Sequence, residues 1–241
     1  MYNALKENFS VAAVIQEERM APAALIKRRI AKLGLFRVIN QLLFQLTVQR
    51  VQQIFCRKRI ELLRKRYGLS LAPPSPKQLY HVTSVNGDDC LKLLQKIDPD
   101  VIVVNGTRII SKRVLTSTRS IFINTHAGIT PQYRGVFGAY WALVSNDAIN
   151  CGVTIHQVDA GIDTGAIISQ KITPVDKEDC FITYPMHQYG AATGLMKEAV
   201  QQFLQAGSLK GRPARPGAPS KLWYHPTLTF YLYHRIFRGI K

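Results

Sequence analysis

An α/β fold, with a mostly parallel sheet flanked by helices, is what this 241-residue sequence predicts. Three observations carry that expectation. Short apolar runs rich in Val and Ile, such as "DVIVVNG" and "SIFIN", have the continuous apolar character of strands covered on both faces. Stretches such as "GDDCLKLLQKIDP" carry apolar residues at helical spacing. The two kinds of segment alternate along most of the chain, as in sheets built by crossover helices. A hydrophobic content of 46% suffices for one sizeable core.

In chain order, "FSVAAVIQE" (9–17) reads as a buried strand. Residues 22 to about 66 read as helices punctuated at Gly34. Their apolar positions Leu33, Leu35, Val38, Ile39, Leu42, Leu43 and Leu46 predict one face, able to pack on the core or on a second copy. "RYGLSLAPPSP" is a loop, because its prolines and glycine break both regular structures. "LYHVTSVN" is a strand and "GDDCLKLLQKIDP" a helix closed by Pro99. "DVIVVNG" is a strand, "SKRVLTST" a short helix and "SIFIN" the next strand. "GVFGAYWALVSND" is a helix whose Gly and Ala positions allow close packing. "NCGVTIHQVD" and "GAIISQKITPV" form two strands around the "AGIDTG" turn. "CFITYPMHQYGAATGLMKEAVQQFLQAG" is a long helix or helix pair with Gly207 as its C-cap. The organisation expected is an α/β domain over 1–206, including a basic helical insert at 22–66, and a basic aromatic tail over 207–241.

The formal charge is +17 and it is unevenly spread. Residues 27–66 hold twelve Lys and Arg against Glu61 alone, and the segment after Gly207 holds seven with no acid. Such a balance predicts an anionic partner, whether nucleic acid, a phosphorylated substrate or a membrane surface. Basic residues interleaved with Phe and Leu suit an anionic membrane surface; a solvated helical pair covering the sheet is the plainer reading. Four cysteines lie far apart with no C-x-x-C, which predicts reduced thiols in a cytoplasmic protein and no zinc site. No apolar run reaches the roughly 18 residues of a spanning helix, and no signal-peptide pattern opens the chain.

Ligands of open α/β sheets sit outside the carboxyl ends of the strands. Asn124 and His126 stand there, directly after Ile121-Phe122-Ile123, and Asp163 lies between glycines in the later turn. Histidine moves protons near neutral pH. A nearby carboxylate raises its pKa and orients it, and an asparagine amide can donate to an oxyanion. No serine or cysteine stands in a nucleophile-elbow context, so the attacking group comes from the substrate. A histidine after a strand, or an aspartate between glycines, also reads as structural when taken singly.

The motifs in order carry more. "INTHAGITPQYRG" followed by "DAGIDTG" closely resembles the formyltransferase family that uses 10-formyltetrahydrofolate. That family includes glycinamide ribonucleotide, methionyl-tRNA and sugar-amine formyltransferases. The resemblance covers residues 80–205 well and 9–17 loosely, and implies a Rossmann-like sheet. It implies Asn124, His126 and Asp163 as catalytic residues. It implies a folate pocket lined by the "NGTRII" backbone at Arg108, Ile109 and Ile110, and closed by the turn through Val158, Asp159 and Gly161. Tyr133, Arg134 and Gly135 fall in the substrate loop. His156 fits the family text and reads as structural, as do His81, His187, His225 and His234.

The implied reaction is direct formyl transfer from 10-formyltetrahydrofolate, a co-substrate, to a neutral primary amine, with no metal. Asn124 and a protonated His126 stabilise the oxyanion while Asp163 supports the imidazole and relays the proton. The expected acceptor is a small anionic amine, first a nucleotide-linked amino sugar, then glycinamide ribonucleotide; tRNA ranks lower. A 10-formyltetrahydrofolate hydrolase and a truncated non-catalytic homologue are the alternatives. The family's first strand and its glycine-rich turn have no counterpart here, which leaves the start of the chain in question. An oligomer stays open, and so does peripheral attachment to the inner face of a membrane.

Overall fold

A computed structural model describes residues 1–241. The chain begins with α1 (Tyr2–Leu5), β1 (Val14–Glu17), α2 (Pro22–Leu33) and α3 (Leu35–Phe44). A π-turn at Gln45–Gln49 leads into α4 (Arg50–Phe55), followed by α5 (Arg57–Arg66), β2 (Leu79–Val82), α6 (Asp88–Ile97) and β3 (Val101–Val104). Next come α7 (Lys112–Leu115), β4 (Ile121–His126), β5 (Arg134–Gly135), α8 (Gly138–Val144), β6 (Gly152–Gln157) and β7 (Ile167–Ile172). The long α9 (Tyr184–Ala206), β8 (Leu222–Trp223) and α10 (Leu228–Arg238) complete the chain.

The α/β class stands, with strand ladders flanked by helices. β1 and β2 pair in parallel as a two-stranded sheet, and β3-β4-β6-β7 form a four-stranded one. β3 and β4 are parallel, whereas β6 runs antiparallel to both β4 and β7. The connection from Val158 to Ala166 is too short for a crossover, so β6 and β7 close as a hairpin. The predicted strand over 9–17 is a ladder only over Val14–Glu17. Phe9 and Val11 pack instead beside Leu5, Ile123 and Met196. No backbone ladder joins β1 and β2 to β3. Side chains join them: Val82, Val85, Val104, Ile110 and Phe122 share one apolar cluster.

Helix ends follow local chemistry. Gly34, at φ 83°, separates α2 from α3. Gly207, at φ 68°, ends α9 as its left-handed cap. The tail is not a loose appendage. Leu222–Trp223 pairs with β5, and the Thr227 hydroxyl caps α10 by accepting the Phe230 N–H.

A second cluster is aromatic and gathers Phe44, Tyr133, Tyr140, Trp141, Phe181, Tyr184 and Tyr231. Phe44 belongs to the helical insert and is fully buried, which contributes about 1.5–3 kcal/mol. The insert is therefore part of the core, not a cover over the sheet. The single apolar face expected on it divides. Val38 and Phe44 point inward with Gln41, while Leu35, Ile39, Leu43 and Leu46 remain exposed.

The insert is also tied down by charge. Arg59 Nε lies 2.9 Å from Asp179 Oδ1, and Arg59 Nη2 lies 2.5 Å from Asp176 Oδ2. His187 Nε2 meets Asp179 Oδ2 at 2.8 Å, and the Tyr67 hydroxyl meets His187 Nδ1 at 2.8 Å. Asp176, Asp179 and His187 stand close enough to hold a metal ion, yet the Arg59 guanidinium already supplies their cation. Beside this network Cys56 Sγ lies 2.9 Å from Cys180 Sγ, and all four cysteines are free thiols.

Candidate active site

β4 runs on through the two residues that the sequence places after it. Its period-2 alternation sends Asn124 and His126 to the same face. Antiparallel pairing with β6 sets His156 opposite Asn124 and Thr154 opposite His126. The Asn124 amide nitrogen accordingly reaches His156 Nε2 at 3.1 Å. His156 Nδ1 lies 2.7 Å from the Gln157 carbonyl, which can only accept, so the proton sits on Nδ1. Nε2 then accepts from Asn124.

His126 is buried between two acceptors. Its Nε2 lies 2.6 Å from the Tyr133 carbonyl and its Nδ1 3.3 Å from Asp163 Oδ2. The carbonyl fixes a proton on Nε2. Burial pushes the imidazole below its ordinary value, against the pull of the Asp163 carboxylate and the Tyr133 carbonyl. A ring protonated on both nitrogens, as expected from sequence, would donate to both acceptors, whereas a ring carrying only the Nε2 proton presents the Nδ1 lone pair to the carboxylate. Two acceptors 3.3 Å apart form a seat for one incoming proton.

Asp163 reaches this position from the tip of the β6–β7 hairpin with φ 52°, a left-handed conformation. The Gly135 N–H donates to its Oδ2 at 2.9 Å, and Arg134 Nη1 donates to the Ile162 carbonyl at 3.0 Å. The loop after His126 therefore clamps the hairpin tip. Burial pushes the Asp163 carboxyl up, but the His156 and His126 rings in their protonated forms and the Gly135 N–H pull it down, leaving the group below the usual carboxylate value. Asp159 braces the same turn, accepting from the Thr164 hydroxyl at 2.7 Å and the Gly161 N–H at 3.1 Å. Gly128 has to be small, because a Cβ there would stand 2.4 Å from the Tyr133 carbonyl oxygen and 2.7 Å from His126 Nε2.

Asn124, His126 and Asp163 thus converge, and Gly135 and Arg134 support them. His156, read as structural, belongs to the same cluster: its Nε2 lies 3.6 Å from Asp163 Oδ1 as well as touching Asn124. Strand register could have found it, since His156 stands two residues from Thr154 on β6. Tyr133, in the loop after His126, has a buried ring whose hydroxyl donates to Asp147 Oδ2 at 2.7 Å, and it meets the site through its carbonyl.

The residues expected to line a pocket have mixed fates. Arg108 Nε pairs with Glu17 Oε2 at 2.6 Å, and its Nη2 donates to the Glu18 carbonyl at 2.6 Å. Those bonds moor the 105–111 segment to β1. The Ile110 side chain is buried in the cluster with Val104 and Phe122. Val158 packs on the same cluster and donates its N–H to Phe122 O. The Ile109 side chain stays half open, and its carbonyl accepts from Asn86 Nδ2 at 2.9 Å.

The formyl transferase family model matches residues 51–188. A methionyl-tRNA formyltransferase from Pelotomaculum thermopropionicum is 34% identical over 163 residues, covering 64% of this chain and 50% of that protein. Another, from Syntrophus aciditrophicus, is 40% identical over 92 residues, covering 38% of this chain and 29% of that protein. The chain spans about half or less of the length of these curated relatives. A solved phosphoribosylglycinamide formyltransferase from Streptococcus pneumoniae superposes with a TM-score of 0.53 at 19% identity, over 84% of this chain and 92% of that one. That likeness concerns the fold.

Proposed function

The chain belongs to the formyl transferase family, and on that premise we propose that it moves a formyl group from 10-formyltetrahydrofolate to a primary amine. The observation that carries the reading is the proton seat between His126 Nδ1 and Asp163 Oδ2, with the Asn124 amide two residues along the same strand face. The folate supplies an activated formyl carbon. The incoming amine must lose a proton as it adds, and the His126–Asp163 pair accepts it. The imidazolium so formed is stabilised by the Asp163 carboxylate. The second N–H of the Asn124 amide, not spent on His156, donates to the charge growing on the formyl oxygen. The proton held at the pair then passes to the leaving folate nitrogen.

The co-substrate fits between the 105–111 segment and the Val158–Asp163 turn. Support comes from the half-open Ile109 side chain and from the way Asn86 and Glu17 hold that segment's backbone. For the acceptor we favour a small anionic amine, first a nucleotide-linked amino sugar. The net charge of +17 supports an anionic acceptor. Methionyl-tRNA is the second reading, favoured by the names of the curated relatives. A cytoplasmic setting goes with either acceptor, and peripheral attachment to a membrane is a separate proposal carried by the surface.

The test is release of tetrahydrofolate from 10-formyltetrahydrofolate, followed optically, with a panel of nucleotide-linked amino sugars, glycinamide ribonucleotide and methionyl-tRNA. Release that depends on an amino sugar is the expected result. Release with tRNA alone would move the acceptor to the second reading. Release without any amine would mean water is the acceptor and the protein is a hydrolase.

A further inference from the structure

The helical insert and the C-terminal helix place an unusual surface on the outside of the molecule. α3 and α10 lie side by side on the aromatic cluster. Asn40 Oδ1 accepts the Thr229 N–H at 3.1 Å, Gln41 Nε2 donates to the His225 carbonyl at 2.6 Å, and the Phe44 and Tyr231 rings meet tilted, with centroids 5.0 Å apart. Gln52 of α4 extends the seam, donating to the Tyr231 hydroxyl at 2.7 Å. Both helices spend one face on this seam, Val38, Gln41 and Phe44 on α3 and Tyr231 and His234 on α10. Their opposite faces therefore look outward together.

Those outward faces are apolar. Phe36 is 88% exposed, Phe237 72% and Ile236 69%, and Phe55, at the end of α4, is 82% exposed. Ile39 and Leu43 continue the stripe along α3. Solvent-exposed Phe and Ile at this density on adjacent helices mark a contact surface. The charges on the segments that carry them are of one sign. From Arg19 to Ile60 there are ten Lys and Arg and no Asp or Glu, and after Gly207 there is again no acid. Surfaces that bind another folded protein of ordinary composition carry both signs at their rims; an apolar face on segments whose own charges are all cationic matches an anionic interface with a hydrophobic interior.

We propose that the outward face of α3, α4 and α10 docks on the surface of an anionic lipid bilayer, with Phe36, Phe55, Ile236 and Phe237 entering the headgroup boundary and the surrounding Arg and Lys meeting lipid phosphates. No helix is long and apolar enough to cross a membrane, so the attachment is peripheral. It also has an address within the fold. α10 follows β8 after only Tyr224–Thr227, and β8 pairs with β5, whose Gly135 holds Asp163. The docking face is thereby linked, through β8 and β5, to the loop that holds Asp163.

The experiment is co-sedimentation of the full chain with phosphatidylcholine vesicles, with and without phosphatidylglycerol, at low and high salt. The variants are Phe36→Ser/Phe237→Ser and Arg28→Glu/Arg37→Glu. All four positions are exposed, so both variants should keep the wild-type unfolding midpoint. The proposal expects binding to anionic vesicles that falls with salt and drops by at least about tenfold in each variant. Equal binding to neutral vesicles would overturn the electrostatic half of it. No binding to anionic vesicles at low salt would overturn all of it. So would a lipid-independent dimer that Phe36→Ser/Phe237→Ser converts to monomer, since a second copy would then be the occupant. Binding of tRNA in place of anionic vesicles would likewise replace the bilayer with nucleic acid.

Discussion

Replacing Gly128 by alanine tests the site through space alone. Gly128 does not occupy the left-handed region, so an alanine backbone is unstrained there. Its Cβ, however, would stand 2.4 Å from the Tyr133 carbonyl oxygen, 2.7 Å from His126 Nε2 and 3.3 Å from His126 Cδ2. None of these atoms is the free end of a flexible chain. The Tyr133 backbone is pinned by its buried ring and its bond to Asp147, and His126 is pinned by β4. Relief requires opening the 2.6 Å bond between Nε2 and the carbonyl. A buried hydrogen bond left unmade costs about 1–3 kcal/mol, and overpacking adds about 1–3 kcal/mol. The variant should therefore lose roughly 2–6 kcal/mol in urea unfolding. An imidazole displaced by about 1 Å should lower formyl transfer by about a hundredfold. Gly194→Ala on α9 is the control, because a Cβ there meets nothing within 4 Å. It should be stabilising by up to about 1 kcal/mol with unchanged turnover. A Gly128→Ala protein with both midpoint and turnover intact would refute the wall against His126, and with it the geometry of the proton seat.

Three further outcomes are expected. Asp163→Asn keeps an acceptor for the Gly135 N–H but removes the carboxylate, so turnover should fall by about 10²–10⁴ while the chain stays folded; the His126 pKa, followed by NMR, should drop further because its main upward pull is gone. Asp179→Ala leaves the buried His187 without its carboxylate and leaves Arg59 only Asp176, and should cost about 1–3 kcal/mol in chemical unfolding. His225 is pushed down to about 4 by burial and by Arg29. A depressed histidine gives stability that is present above its unfolded value of about 6.5 and is lost as pH falls through about 4. Thermal unfolding followed from pH 7 to pH 4 should show that loss, about 3 kcal/mol at most, and His225→Gln should flatten it.

The sequence was most legible where local chemistry decides. Gly207 and Gly34 punctuate helices because no other residue takes those φ values cheaply. The strand "SIFIN", though not its extension to His126, and the turn at Asp163 were readable because an apolar run and closely spaced glycines have few alternatives. What stayed hidden depends on register and on distant partners. His156 enters the cluster only because β6 pairs with β4 so that it faces Asn124. The inward turn of the Tyr133 ring depends on Asp147, and the split of the insert's apolar face depends on Tyr231 and Phe181 arriving from the far end of the chain. Periodicity says that a helix has an apolar side. It does not say how much of that side another helix will cover.

The break between the β1–β2 pair and β3 has a consequence for how the molecule opens. A continuous sheet unfolds as one ladder, but here the pair is held by side-chain packing, by the Glu17–Arg108 ion pair and by Asn86. Such a unit can detach below the global unfolding free energy. In amide hydrogen exchange it should form a separate, faster group than β4 and β6. The segment moored to it, 105–111, is the one proposed to cradle the folate. Co-substrate binding should therefore slow exchange in β1 and β2, which lie outside the two segments proposed to cradle it, and the affinity should include the work of holding that ribbon closed.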